Sequence, residues 1–311
     1  MNIQETKQKI KEIITIKAKK DEMIETGIKG VHLFSITEPI RCVPAIYNPA
    51  IIAIVNGSKE AILNGNTYVY DSSQYMCCTM TMPIEVGAPT SSIDNPLLGV
   101  YISLDTELIT ELTLKIETTT IGIKKHKNSP HPEGLSLSHW DNSFSEALLR
   151  LLQITNNPLD TTILGRSRLR ELYYTILKGD SGDSIKRSFG IKNDISKTIK
   201  YLSSNLDKSI TIDDMAKKAS MSRAVFHRKF KEATTISPIQ FLKSMRLNTA
   251  AMKIAGGLNI NEAAMQVGYI SSSQFSREFK RTYGQSPKQW SQSKELPTEI
   301  TKGAFQFFDQ F

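Results

Sequence analysis

Side chains suited to reading and holding a nucleic-acid duplex concentrate in two short stretches of this 311-residue chain. Arg223, His227, Arg228 and Lys231 form the first set, and Ser273, Gln274, Arg277, Lys280 and Arg281 the second. Such groups donate and accept hydrogen bonds at base edges, and the cations also attract phosphate. Each set follows a serine, Ser222 or Ser271, of the type that caps a helix. At helical spacing each polar set lies opposite an aromatic stripe, Phe226 and Phe230 in one case, Phe275 and Phe279 in the other. The pattern predicts two recognition helices whose starts lie 49 residues apart. Early-turn positions enter a groove deepest, so Arg223, His227, Ser273, Gln274 and Arg277 are assigned to base readout. Ser222, Arg228, Lys231, Ser271, Lys280 and Arg281 are assigned to phosphate.

The elements that must position these side chains are legible around them. Thr211 with Asp214 can cap a helix through Ile212, Met215, Ala216 and Ala219, and Ser220-Met221-Ser222 supplies the turn into the first recognition helix, expected to bury Val225, Phe226, Phe230 and Ala233. In the second unit, Ala263, Ala264 and Val267 make a short helix, Gly268 ends it, and Ser271 with Gln274 is read as a capping box. Between the units, Ser237-Pro238 opens a helix that runs through Phe241, Leu242, Met245, Leu247, Ala250 and Met252 to Gly256-Gly257. Roughly 18 residues at about 1.5 Å each span about 27 Å. That approaches one duplex turn, about 34 Å, so one rigid spacer can set both helices in successive major grooves.

On these residues, and above all on the run VGYISSSQFSREFKRTYGQSP, positions 191–294 resemble the DNA-binding domain of the AraC/XylS family of bacterial transcription regulators. Ser291 after Trp290 departs from the arginine frequent there. The resemblance implies sequence-specific binding of double-stranded operator DNA, with RNA polymerase as a further partner. Charge is distributed accordingly. Residues 191–294 carry 18 Lys+Arg against 7 Asp+Glu, whereas the remainder carries 21 against 24. A basic third joined to a slightly acidic remainder is the footprint of a DNA-binding module fused to a part that avoids DNA.

That remainder reads differently. VHLFSI, AIIAIVNG, KEAILNGNTYVY, QYMCCTMTMP and LLGVYISL are short apolar runs expected as strands, with Asn56-Gly57 and Asn64-Gly65 as hairpin turns. They predict a small antiparallel barrel or jelly roll over about 28–115. Residues 28–178, and RCVPAIYNPAIIAIVNG in particular, are similar to the cupin-like N-terminal domain of one branch of AraC-type regulators, which implies a sensory role and a small-molecule effector. An enzymatic cupin with an accessory DNA-binding module is the alternative. It needs about three clustered metal ligands, whereas His32 stands alone and His126, His131 and His139 follow the last expected strand in a loop. No P-loop, nucleophile elbow or dinucleotide fingerprint occurs, so no catalytic residue, cofactor or metal is assigned. A nonspecific architectural DNA binder is a third reading, disfavoured by the base-reading capacity of His227, Ser273 and Gln274.

Adjacent Cys77 and Cys78 should face opposite ways on a strand. Core packing is the plain reading, and sensing of an electrophile or oxidant the sharper one, though no cation neighbours them in sequence. The segment after Met1 reads as a helix lying on the barrel. Residues 142–154 and 162–177 read as amphipathic helices that either cover the barrel or pair in a homodimer. Gly179 to Asp183 reads as a linker. No apolar run approaches the ~20 residues needed to cross a bilayer, and the cytoplasm is the expected compartment. The expected architecture is therefore α+β in two domains: 1–185, a cupin-like antiparallel β-barrel plus helices (142–178), and 186–294, an all-α tandem helix-turn-helix domain, followed by a tail, 295–311.

Overall fold

A computed structural model describes residues 2–18, 22–119, 134–189 and 193–292. The N-terminal half is built on two antiparallel sheets. Six strands, β1 (Glu22–Glu25), β2 (Val31–Ile36), β4 (Ala50–Asn56), β7 (Gln74–Cys78), β9 (Leu97–Ser103) and β10 (Leu135–His139), form one sheet in the order β1-β2-β9-β4-β7-β10. The other sheet, in the order β3-β8-β5-β6, holds β3 (Ile40–Tyr47), β5 (Ser58–Leu63), β6 (Asn66–Asp71) and β8 (Met82–Ala88). Strand alternation divides the larger sheet. Phe34, Ile52, Met76 and Cys78 join one core with the smaller sheet, whereas Leu33, Ile51, Tyr75 and Cys77 join a second core with helices.

Those helices are α1 (Ile3–Lys17), α2 (Thr106–Thr119), α3 (Asn142–Gln153), α4 (Pro158–Lys178) and α5 (Gly182–Phe189). The expected N-terminal helix does lie against the sheet, burying Ile10 and Ile14. Helices α3 and α4 bury Phe144, Leu148, Leu172 and Tyr173 in the same core. Their inner stripes are thus satisfied within the chain. Leu159, Ile163 and Tyr174 of α4 remain exposed.

Several sequence expectations need correction. Asn64 and Gly65 both take positive φ, the two-residue hairpin turn expected between β5 and β6. Asn56-Gly57 instead joins strands of different sheets, with Gly57 at φ +79° and a Cβ there 3.1 Å from Leu97 Cα. The last barrel strand is not β9, because β10 pairs with β7 and carries His139 opposite Gln74. Residues up to about 115 are not barrel, since α2 begins at Thr106. Gly179 to Asp183 is not a linker: residues 179–181 make a tight turn straight into α5, and Ser181 is 1% exposed with its hydroxyl meeting those of Ser136 and Ser138. His126 and His131 lie outside the described residues. His32 is buried on β2, and among the described residues no group of three His, Cys, Asp or Glu is placed to hold a metal ion.

The C-terminal half is helical among the described residues: α6 (Asp194–Ser203), α7 (Ile212–Lys218), α8 (Arg223–Thr234), α9 (Pro238–Ala255), α10 (Ile260–Gln266), α11 (Ser272–Tyr283) and α12 (Pro287–Gln292). Helix α9 packs against β3 and β8 of the smaller sheet. Asn248, 5% exposed, donates to the carbonyls of Ala45 on β3 (2.9 Å) and Ile84 on β8 (3.0 Å). The same side chain accepts from Tyr283 Oη at 2.8 Å, so it joins the sheet, the spacer helix and the last residue of α11.

Candidate nucleic-acid interface

Each recognition helix is fixed from behind by aromatic packing. Phe226, Phe230 and Phe241 bring α8 against α9, with ring centroids 5.3 and 5.2 Å apart. Phe275 and Phe279, both fully buried, hold α11 against Tyr269 and Trp290. The Trp290 indole N–H donates to Ala251 O of α9 at 3.0 Å. The caps work as the sequence predicts in four places: Thr211 and Asp214 form a reciprocal capping box on α7, and Ser222, Ser237 and Ser271 accept from the amides of Val225, Gln240 and Gln274. The second box is incomplete. The Gln274 side chain does not return to Ser271 but donates to Glu278 Oε1 at 3.5 Å.

The two units are also locked to each other. Arg246 of α9 donates to Leu206 O (3.0 Å) and Lys208 O (2.6 Å) in the loop after α6. Gly268, at φ +86° in the second turn, lies so close that a Cβ would sit 2.5 Å from Leu206 O. Lys243 of α9 reaches Glu278 of α11 at 3.0 Å. Burial alone would raise the Glu278 carboxyl; the bonds from Tyr269 and Lys243 outweigh it and hold it below the usual range.

All eleven side chains assigned to DNA from the sequence are exposed on one or other unit. The 49-residue offset superposes Arg228 on Arg277 and Lys231 on Lys280, with Phe226 and Phe230 on Phe275 and Phe279. At i, i+4, i+7 spacing each unit presents one exposed ridge: Ala224, Arg228, Lys231 in the first and Ser273, Arg277, Lys280 in the second. Arg228 also pairs with Glu232 at 2.9 Å, and Arg223 lies 3.9 Å from Asp213 of α7. Val225 departs from expectation, being 38% exposed on α8 instead of buried. Sequence reasoning did not single out Asn248, Lys243, Arg246 or Glu278, although an asparagine amid the apolar run of α9 was a visible signal.

Cys77 and Cys78 face opposite ways as expected, and both are fully buried. Burial pushes the Cys78 thiol up to about 12 and Cys77 higher still, so neither carries thiolate at neutral pH. A different opening lies where the two halves meet. A cavity of about 1280 Å³ is lined by Asn48, Thr81 and Tyr101 of the barrel and by Ser196, Lys197 and Lys200 of α6, with Lys29 and Arg166 also on its wall.

A two-sheet domain clamped to tandem helix-turn-helix units with exposed cationic ridges defines a two-domain DNA-binding protein. Residues 27–184 match the model of the AraC-type transcriptional regulator N-terminus, and residues 215–293 match a helix-turn-helix domain model. The chain belongs to the family of AraC-type transcriptional regulators. It is 29% identical over 147 residues to the raffinose operon transcriptional regulatory protein RafR of Pediococcus pentosaceus, covering 47% of this chain and 53% of RafR. Over 87 residues it is 36% identical to the regulator AlkR of Acinetobacter baylyi, 28% of each chain. The match thus spans about half or less of these curated relatives. Over 97 residues it is 29% identical to the regulatory protein SoxS of Salmonella typhimurium, 31% of this chain but 91% of SoxS. Among solved structures, Vibrio cholerae ToxT bound to (E)-4-(8-methylnaphthalen-1-yl)but-3-enoic acid shares the fold at TM-score 0.53 and 15% identity, over 84% of this chain and 97% of ToxT. ToxT with an unsaturated fatty acid bound gives 0.51 at 15% identity, over 84% and 94%.

Proposed function

We propose that this chain is a sequence-specific, DNA-binding transcription regulator whose operator affinity is set by a small molecule at the N-terminal domain. The observation that carries this is the pair of equivalent ridges, Arg228 and Lys231, Arg277 and Lys280, on helices braced by one spacer. Arg228 joins Arg277, Arg223, His227, Ser273 and Gln274 as a base reader, because its position in the repeat is that of Arg277. Ser222, Ser271, Lys231, Lys280 and Arg281 hold phosphate. The helix-turn-helix domain match over residues 215–293 supports placing DNA recognition in the helical half. The reading is of a binder, not an enzyme, acting in the cytoplasm and in contact with RNA polymerase.

The cavity between the halves is the effector site in this reading. Lys29, Arg166, Lys197 and Lys200 suit an anionic head, and both ToxT ligands are carboxylic acids or fatty acids. An effector bound there touches both domains, so it binds one mutual arrangement better than another and shifts the population. The exposed Leu159, Ile163 and Tyr174 face of α4 serves a homodimer. Selection of duplexes from a random-sequence library, repeated with and without fatty acids, tests the whole. Enriched sequences whose affinity changes with the fatty acid support it, and failure to enrich any sequence overturns it.

A further inference from the structure

Gln274 occupies the first turn of α11, where a side chain reaches deepest into a groove. A glutamine amide free to choose offers both an acceptor and a donor, and so reads adenine at its N6 amino group and N7 together. Gln274 is not free. Its N–H₂ lies toward Glu278 Oε1, while the other oxygen, Oε2, accepts from Tyr269 Oη at 2.7 Å and pairs with Lys243 at 3.0 Å. An ionised carboxylate only accepts, so the amide end that faces it must be the nitrogen. The carbonyl oxygen is then the end left toward solvent. The equivalent position in the first unit is Val225, so this arrangement belongs to the second unit alone.

We propose that Glu278 is a positioning residue that turns the Gln274 amide so that its carbonyl oxygen faces the DNA, making α11 select a base that presents an exocyclic amino group, adenine or cytosine. This rests on the regulator reading above. It adds a direction: one of the two amide N–H groups is engaged by Glu278, so the second unit reads a donor more strongly than the purine N7 beside it. Glu278 can hold that orientation because Lys243 of the spacer helix pairs with its other oxygen, Oε2, at 3.0 Å; the Tyr269 hydroxyl bonds that same oxygen and not the one that faces Gln274.

The test uses the full chain and a duplex enriched from a random library. A scan with Gln274→Ala first locates the base pair at which that variant loses discrimination. Adenine, 7-deazaadenine (no N7) and unsubstituted purine (no amino group) are then placed there in turn. Wild type should bind purine roughly fivefold more weakly than adenine, the loss of about one hydrogen bond, and should lose less than that at 7-deazaadenine. Glu278→Gln should gain sensitivity to 7-deazaadenine, because the released amide can turn its N–H₂ to N7. Tyr269→Phe leaves the Glu278–Gln274 contact in place and should keep the wild-type order. These are ratios within one variant, so a general loss of stability does not produce them. Equal losses at 7-deazaadenine and purine in wild type would overturn the proposal, as would an unchanged order in Glu278→Gln, an altered one in Tyr269→Phe, or no position sensitive to Gln274→Ala. Failure to enrich any duplex would instead sink the regulator reading.

Discussion

Replacing Asn248 by alanine removes a side chain that bonds the sheet, the spacer helix and the end of α11 at once. Two carbonyls, Ala45 O and Ile84 O, lose a donor, and Tyr283 Oη–H loses its acceptor, in a site where Asn248 is 5% exposed. Leaving a buried polar group unsatisfied costs about 1–3 kcal/mol, and water can reach only part of this site, so the expected loss is about 2–4 kcal/mol. Asn248→Asp should cost more, because an acceptor would then face two carbonyl oxygens. The chain's two tryptophans make the assay direct: Trp140 reports the barrel domain and Trp290 the helix-turn-helix domain. Urea unfolding of Trp140→Phe and Trp290→Phe backgrounds should give overlapping transitions in wild type and separated ones after Asn248→Ala. Tyr283→Phe combined with Asn248→Ala should be less than additive, since both remove one shared bond. A loss below about 0.5 kcal/mol, or strict additivity, would refute the junction as argued.

Other outcomes follow from the same contacts. Arg228→Ala and Arg277→Ala should each cost roughly 1–3 kcal/mol on the preferred duplex and relax selection, whereas Lys280→Ala should weaken all sequences alike and lower the salt slope by about one; gel shifts at several salt concentrations decide. Gly268→Ala should destabilise by roughly 1–3 kcal/mol, visible as a lower midpoint of the Trp290 transition, because φ +86° and the approach of Leu206 O both exclude a Cβ. Burial lowers the Lys59 amine to about 8, with its Nζ 5.5 Å from the rings of Phe34 and Tyr47. Between about 8 and the unfolded value near 10.4 the unfolded chain binds more protons, so stability rises with pH there. Lys59→Met should therefore raise the melting temperature at pH 7, and the gain should fade by about pH 10.

The helix-turn-helix half was legible because its signals are local: caps, glycine stops and aromatic periodicity all act within a turn or two. Helix α6 carried the same signals, Asn193 as cap with Ile195, Ile199 and Leu202 at helical spacing, and was readable on those grounds. Val225 misled because helical spacing places it beside Phe226, yet only Phe226 meets the core. Gln274 misled because a capping box and an i, i+4 bond to Glu278 compete for one amide, and Glu278 is made the better acceptor by residues at 243 and 269. Strand β10 pairs with β7 across some sixty residues, and Asn248 finds Ala45 203 residues away. Such partners are chosen by tertiary packing, which no window of sequence contains.

The central claim is that the exposed ridges of α8 and α11 read a DNA sequence. Fluorescence anisotropy of the full chain titrated onto its best selected duplex and onto a scrambled duplex of the same composition, at one physiological salt concentration, tests it most directly. A specific regulator should prefer the selected duplex by ~10³-fold or more. Equal affinities for the two would contradict the account.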